Sequence, residues 1–247
     1  MHCTSNNTCC LVLHNLIIRG GEYSIDSNRC TGCGACTIAC PSNARTVFGR
    51  EISAKEVYQE VVKDEMFYDE SGGGVTFSGG EPLAQINFLE ECLRLCYSRR
   101  LHICLDTSGY APQEHVERVL RYVSLFLYDV KIINREKHRR YTGVDNSIIL
   151  KNLQVINDSN RPVWARIPII PSINDDKENL IATAELLSSF KNIKQVNLLP
   201  LHKTAAGKYS GLSKNYEILD YPVPDDNLMS KCRKIFEKSG LKVYIGG

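Results

Sequence analysis

The sequence predicts an α/β protein: a parallel sheet with right-handed helical crossovers, preceded by a small cysteine-rich module. Three observations carry this expectation. Short apolar strands alternate with amphipathic helices from about residue 55 to the C-terminus. Seven of the 11 cysteines fall in the first 40 residues. Polar clusters also close five successive strands, which is where open α/β sheets and βα barrels carry their functional side chains. The expected division is a module over residues 1–48 and a sheet domain over residues 49–247.

In the module, Cys30-x-x-Cys33-x-x-Cys36-x-x-x-Cys40-Pro41 matches the bacterial ferredoxin spacing. Three thiolates on one tight loop can hold three corners of a 4Fe-4S cube, with Gly32 and Gly34 allowing close backbone approach. A zinc ribbon is the alternative, but such sites usually carry two separated C-x-x-C pairs. In two-cluster ferredoxins the fourth cysteine of a run serves the other cluster, so Cys40 asks for a second run upstream. Counting back from Cys10, Cys3 fits that spacing and Asn6 does not, and a further ligand would precede Met1. The expectation is one cluster on Cys30, Cys33 and Cys36 with help from Cys10; Cys9 is either a substitute ligand or a neighbour.

In the sheet domain, Val57, Val61 and Val62 give Lys55–Asp64 a helical stripe, and Gly72 to Gly74 then open a strand over Val75–Ser78. The alternation continues with helix Asn87–Arg99, strand Ile103–Thr107, helix Glu114–Val123 and strand Leu125–Val130. Helix Ile148–Asn157, strand Val163–Ile170, helix Lys177–Phe190 and strand Gln195–Leu199 follow. Helix Asn227–Ser239 and strand Leu241–Ile245 close the chain. Cys92 and Cys96, one helical turn apart, read as packing residues. His102, His115 and His138 read as ordinary surface or helix histidines.

Composition narrows the function. Thirty Lys+Arg against 28 Asp+Glu leave a formal charge of +2, which implies no nucleic-acid partner. The longest apolar stretch, Cys9–Ile18, is interrupted by His14 and Asn15, whereas a membrane span needs about 20 apolar residues, so no bilayer is expected to be crossed. A basic leader with a small-residue cleavage site is absent, and a cytoplasmic location is the expectation. Clustered cysteines in a reducing compartment point to metal or redox chemistry before crosslinking.

The strand ends carry Gly79-Gly80-Glu81, Asp106-Thr107-Ser108-Gly109, Asp129-Val130-Lys131, Arg166 and His202. Glycines at a strand end admit a ligand against the backbone, and a neighbouring carboxylate suits an α-amino group; a plain turn remains the alternative for Gly-Gly-Glu alone. The stretches SGGGVTFSGGEPL, LDTSGY, LFLYDVK, TGV, NLLPLH, GKY and the terminal IGG together resemble the glycyl-radical enzyme activating enzymes of the radical S-adenosylmethionine superfamily, in the pyruvate formate-lyase activating enzyme branch with a ferredoxin-like insert. The resemblance runs from Cys30 to Gly247. It implies a partial (βα)6-type barrel in which Gly79, Gly80 and Glu81 receive the amino group of S-adenosylmethionine and Lys131 meets its carboxylate. Asp106, Asp129 and Val130 would lie nearby, around a monovalent cation, with Arg166 assisting and His202 on the nucleoside; taken singly, Lys131 could instead be a solvated charge and Arg166 a structural ion pair.

The activity implied is one-electron cleavage of the sulfonium by a reduced 4Fe-4S cluster, giving a 5'-deoxyadenosyl radical that takes a hydrogen atom from a backbone glycine of a partner lyase. Flavodoxin or ferredoxin would supply the electron, in an anaerobic cytoplasm. Arg99-Arg100 and Arg139-Arg140 read as a solvated helix face, with docking charges for the partner as the alternative. One departure stands out. The family's C-x-x-x-C-x-x-C loop, whose cluster generates the radical, is nowhere in these 247 residues: Cys36 and Cys40 lack a third cysteine at Asn43, and Cys92 and Cys96 lack one at Arg99. The expectation is that this loop and the first barrel strand lie N-terminal to Met1 or come from a separate chain, and that the chain as given is inactive. The alternatives are another radical S-adenosylmethionine enzyme, or a non-catalytic cluster-binding relative.

Overall fold

The computed structural model describes residues 16–19, 22–25, 30–40, 47, 49–202 and 221–246. They fall into two units, one within residues up to Glu51 and one comprising Ile52–His202 with the described C-terminal residues. In the first unit β1 (Leu16–Arg19) pairs antiparallel with β2 (Glu22–Ile25), and α1 (Ala35–Ile38) follows the C-x-x-C-x-x-C run. Gly32 and Gly34 take the left-handed conformation (φ 71° and 76°) that side-chain-bearing residues avoid, which lets the chain turn twice within four residues.

The second unit opens with α2 (Ala54–Val61), whose first turn is held by a capping box between Ser53 and Glu56. A 3-10 turn leads into α3 (Glu65–Ser71), which stops at left-handed Gly72. Then come β3 (Gly74–Phe77), α4 (Ile86–Ser98), β4 (His102–Thr107), α5 (Gln113–Val119), β5 (Leu125–Asp129) and α6 (Arg135–Thr142). They are followed by α7 (Ser147–Asp158), β6 (Val163–Ile169), α8 (Lys177–Ser189), β7 (Ile193–Pro200), α9 (Asp226–Lys238) and β8 (Val243–Ile245). The six strands β3 to β8 pair in sequence order, all parallel, as the regular helical crossovers demand. Among the described residues β3 and β8 are the two edges, so the sheet is the parallel one that the alternation predicts, open as in the partial barrel that the resemblance implies.

Strand alternation sorts the side chains onto two faces. Ile103, Leu105, Phe126, Tyr128, Val163, Ala165, Ile167, Val196 and Leu198 lie on one face and are buried. Leu89 and Leu93 of α4, Leu153 and Ile156 of α7, Leu180 and Leu187 of α8 and Phe236 of α9 join them in one core. Each such side chain contributes about 1.5–3 kcal/mol when fully removed from water. The opposite face carries Cys104, Asp106, Asp129, Arg166 and Asn197 at matching register, Asp129 beside Arg166 and Arg166 beside Asn197. That face is polar at its C-terminal end.

The helices α3 and α6 are not foreseen by periodicity. Helix α6 reads REKHRRYT and buries only His138, so it has no apolar stripe to detect. It is defined by its ends instead: the Asn134 side chain accepts from Lys137 N–H at 2.9 Å, and Gly143 closes it at φ 81°. No helix among the described residues is long and apolar enough to cross a membrane.

Candidate active site

The polar ends of β3 to β6 converge within the second unit. After β3 the chain turns through Gly79 (φ 140°) into Glu81, which caps a 3-10 turn over Pro82–Gln85 leading into α4. The Glu81 carboxylate accepts on Oε1 from Thr107 O–H (2.6 Å) and Leu83 N–H (3.2 Å), and on Oε2 from Ser108 O–H (2.6 Å) and N–H (3.0 Å). A carboxylate offers about four acceptor positions, so this one is filled by the chain itself and ties the β3 turn to the β4 turn. A Cβ at Gly79 or Gly80 would meet no atom within 4 Å. Packing therefore does not require glycine here, and the backbone of both residues borders open space.

Along the polar face, Ser78 Oγ donates to Asp106 at 2.9 Å. The Arg166 guanidinium sits between two carboxylates, reaching Asp106 Oδ1 at 2.6 Å and Oδ2 at 3.0 Å, and Asp129 Oδ1 at 3.0 and 3.1 Å. Burial pushes the Asp129 carboxyl above its ordinary range, against the opposing pull first of Arg166 and then of Lys131. Val130 is buried at the turn between them, its N–H on the Arg166 carbonyl at 2.9 Å. Lys131, half-buried, has no hydrogen bond or ion pair from its ammonium among the described residues. It lines a cavity of about 220 Å³ with Ser108, Tyr110, Asp129 and His138. His202, which follows β7, is exposed.

The rim turns are held from below by buried asparagines that periodicity treats as ordinary helix or loop residues. Asn152 of α7 donates both amide hydrogens to the carbonyls of Gly109 (2.8 Å) and Ala111 (2.9 Å). Asn146 donates to Ile132 and Ile133 carbonyls, and Asn179 Oδ1 accepts from Ile133 N–H at 3.0 Å. Asn174 donates to the Lys131 carbonyl at 3.0 Å and to the Pro168 carbonyl at 2.6 Å. One signal was available in the sequence: Asn152 falls on the same helical stripe as Ile149, Leu153 and Ile156, where an unpaired amide would be costly. Gly109 is needed on both counts glycine can be. Its φ is 71°, and a Cβ there would lie 1.7 Å from the Tyr128 hydroxyl.

The cysteine run is placed differently. Cys30 and Cys33 are exposed, Cys36 is half-buried and Cys40 is buried; Cys3 and Cys10 lie outside the described residues. A hydrogen bond from Ala35 N–H, then one from Thr31, lowers the Cys33 thiol pKa and favours the thiolate that a cluster needs. Among the described residues no three His, Cys, Asp or Glu side chains come close enough together to hold a metal ion. Cys92, Cys96 and Cys232 are buried, and burial pushes each thiol up to about 11. Arg99 chelates Glu65 at 2.8 and 3.0 Å, and Arg139 pairs with Asp145 at 3.0 Å, so both serve intramolecular contacts. His138, read as an ordinary histidine, is only 3% exposed and faces the cavity of Lys131.

Residues 27–184 match the family model of the radical SAM superfamily. The chain is 37% identical over 254 aligned positions to the trans-4-hydroxy-L-proline dehydratase activating enzyme of Clostridioides difficile, covering 90% of this chain and 84% of that one. It is 38% identical over 197 positions to the pyruvate formate-lyase-activating enzyme of Staphylococcus aureus, covering 77% of this chain and 78% of that one. A crystal structure of a domain of pyruvate-formate lyase-activating enzyme from Bacteroides vulgatus superposes with a TM-score of 0.61 at 34% identity, covering 71% of this chain and 99% of that one.

Proposed function

Because this chain belongs to the radical SAM superfamily, and within it to the activating enzymes of glycyl-radical enzymes, we propose that the rim of β3 to β7 binds S-adenosylmethionine for generating a glycyl radical on a partner lyase. The cofactors of the family are a 4Fe-4S cluster and S-adenosylmethionine, which when bound supply the radical chemistry. Flavodoxin or ferredoxin is the electron donor in this reading.

The observation that carries the site assignment is the convergence of charge. With every group ionised, Glu81, Asp106 and Asp129 against Lys131 and Arg166 leave one net negative charge on the rim. S-adenosylmethionine, with a sulfonium, an ammonium and a carboxylate, carries one net positive charge. The match favours the sulfonium cation over neutral nucleosides. Within it, the open backbone at Gly79 and Gly80 receives the α-amino group, and Glu81 acts by holding that turn against Thr107 and Ser108. Lys131, whose three donors have no partner among the described residues, takes the carboxylate. Arg166 supplies between Asp106 and Asp129 the positive charge that a monovalent cation would otherwise bring. His202, exposed beyond β7, borders the nucleoside.

The ferredoxin-type run offers the donors of a cluster, three cysteines at the right spacing with a lowered thiol at Cys33, although their side chains are not drawn together in this structure. These 247 residues contain no C-x-x-x-C-x-x-C loop, so they do not fit the radical-generating cluster, and no step is assigned through it. The test of the site is binding. Isothermal titration with S-adenosylmethionine should show affinity falling about tenfold or more in Lys131→Ala, and falling in His202→Ala, with iron content unchanged in both. Loss of iron in both variants would make them structural residues and overturn the assignment.

A further inference from the structure

The cavity beside Lys131 contains a group that the assignment above leaves unused. His138 Nδ1 lies 2.7 Å from the Val144 carbonyl and 2.9 Å from Thr142 Oγ1. A bare nitrogen lone pair cannot face a carbonyl oxygen at that distance, so Nδ1 carries the hydrogen and donates it to Val144. The Thr142 hydroxyl has its own acceptor, the His138 carbonyl at 2.8 Å. With Nδ1 as the donor, Nε2 is the ring nitrogen left over, and in a neutral imidazole it is an acceptor. It has no partner among the described residues, yet it is not sealed away: the fully buried side-chain polar atom left without a partner among those residues is Asn152 Oδ1. His138 lines the same cavity as Lys131 and Asp129.

At about 220 Å³ this cavity is smaller than the roughly 300–1,000 Å³ that takes a drug-sized ligand whole, so it suits one end of a nucleotide-sized cofactor. Its groups are an unpaired ammonium, a carboxylate already engaged by Arg166, and an unpaired imidazole acceptor. We infer that His138 is a positioning residue: the two side chains line one cavity without being hydrogen-bonded to each other in this structure, and with S-adenosylmethionine bound the Lys131 ammonium gives one hydrogen to His138 Nε2 and keeps the others for the carboxylate. The inference rests on the reading of Lys131 as the carboxylate-binding residue.

Two substitutions separate this role from a structural one. In H138N the shorter amide can replace Nδ1 on the Val144 carbonyl but puts nothing where Nε2 stands; H138Q does the reverse. Titration with S-adenosylmethionine and with 5'-methylthioadenosine, which lacks the amino-acid end, supplies the readout. H138N should bind S-adenosylmethionine about tenfold more weakly and 5'-methylthioadenosine unchanged, while H138Q should keep most of the affinity for both. The opposite order, or equal loss of both ligands in both variants, would make His138 structural and overturn the inference. Lys131→Ala run in parallel distinguishes the two readings: if it leaves S-adenosylmethionine binding intact, the site assignment fails. If Lys131→Ala weakens binding and H138N does not, only the role of His138 fails. Nitrogen-resolved imidazole NMR of the unaltered chain is independent of folding in the variants, and an Nε2–H tautomer at His138 would refute the inference by itself.

Discussion

Replacing Arg166 by leucine removes the only guanidinium holding Asp106 and Asp129 together among the described residues, and leaves two carboxylates facing one another. Removing one partner of a fully buried pair costs about 3–5 kcal/mol. Here the three side chains keep 17–24% of their exposure, so water returns part of that, and a loss of about 2–4 kcal/mol is expected at pH 8. For a chain of this size that is a fall of about 5–15 °C in Tm. The sign of the pH dependence follows from Asp129. Its carboxyl is already raised by burial, and without Arg166 it loses the strongest influence pulling it down and rises further. A carboxyl raised in the folded state favours folding most when protonated, and that contribution is lost as pH rises through the folded pKa. The deficit of the variant should therefore be largest at pH 8 and shrink to about 1 kcal/mol near pH 4.5. Urea unfolding of parent and variant at the two pH values measures this. Equal deficits at both, or none at pH 8, would show that Arg166 does not neutralise the pair.

Gly109→Ala should cost about 2–5 kcal/mol, from a left-handed backbone and a Cβ driven against Tyr128, and should weaken S-adenosylmethionine binding because Ser108 moves off Glu81; thermal melts and titration check both. Alkylation with iodoacetamide at pH 8, followed by peptide mass mapping, should modify Cys33 and leave Cys92, Cys96 and Cys232 intact. Thiols held at about 11 are ionised only to about one part in a thousand at that pH, and these three are also buried. After iron–sulfur reconstitution and dithionite reduction, the 247-residue chain should release no 5'-deoxyadenosine from S-adenosylmethionine, since it contains no C-x-x-x-C-x-x-C loop; clear turnover by chromatography would prove that loop dispensable.

Much of this protein is legible in its sequence because two periodicities act locally. Alternation over HICLDT decides that Ile103, Leu105 and Thr107 share one face and Asp106 the other, whatever the rest of the chain does. Strands separated by amphipathic helices leave a parallel order as the economical pairing, and its C-terminal edge collects Glu81, Asp106, Asp129 and Arg166. Motif spacing likewise marks the Cys30 run and the Gly79-Gly80-Glu81 turn without knowledge of their surroundings.

What the tertiary structure alone decides is which of these groups spend their hydrogen bonds on one another. Glu81 is committed to Thr107 and Ser108, 26 and 27 residues away, and Arg166 bridges carboxylates 60 and 37 residues away. Among the described residues Lys131 is left with its donors open and His138 with one ring nitrogen unpaired. Such commitments depend on distances between strand ends and on burial, which raise or remove the competition from water. No local pattern encodes them, so the role of an asparagine on an apolar stripe, or of a histidine in a helix with no stripe at all, emerges only when the sheet brings the rim together.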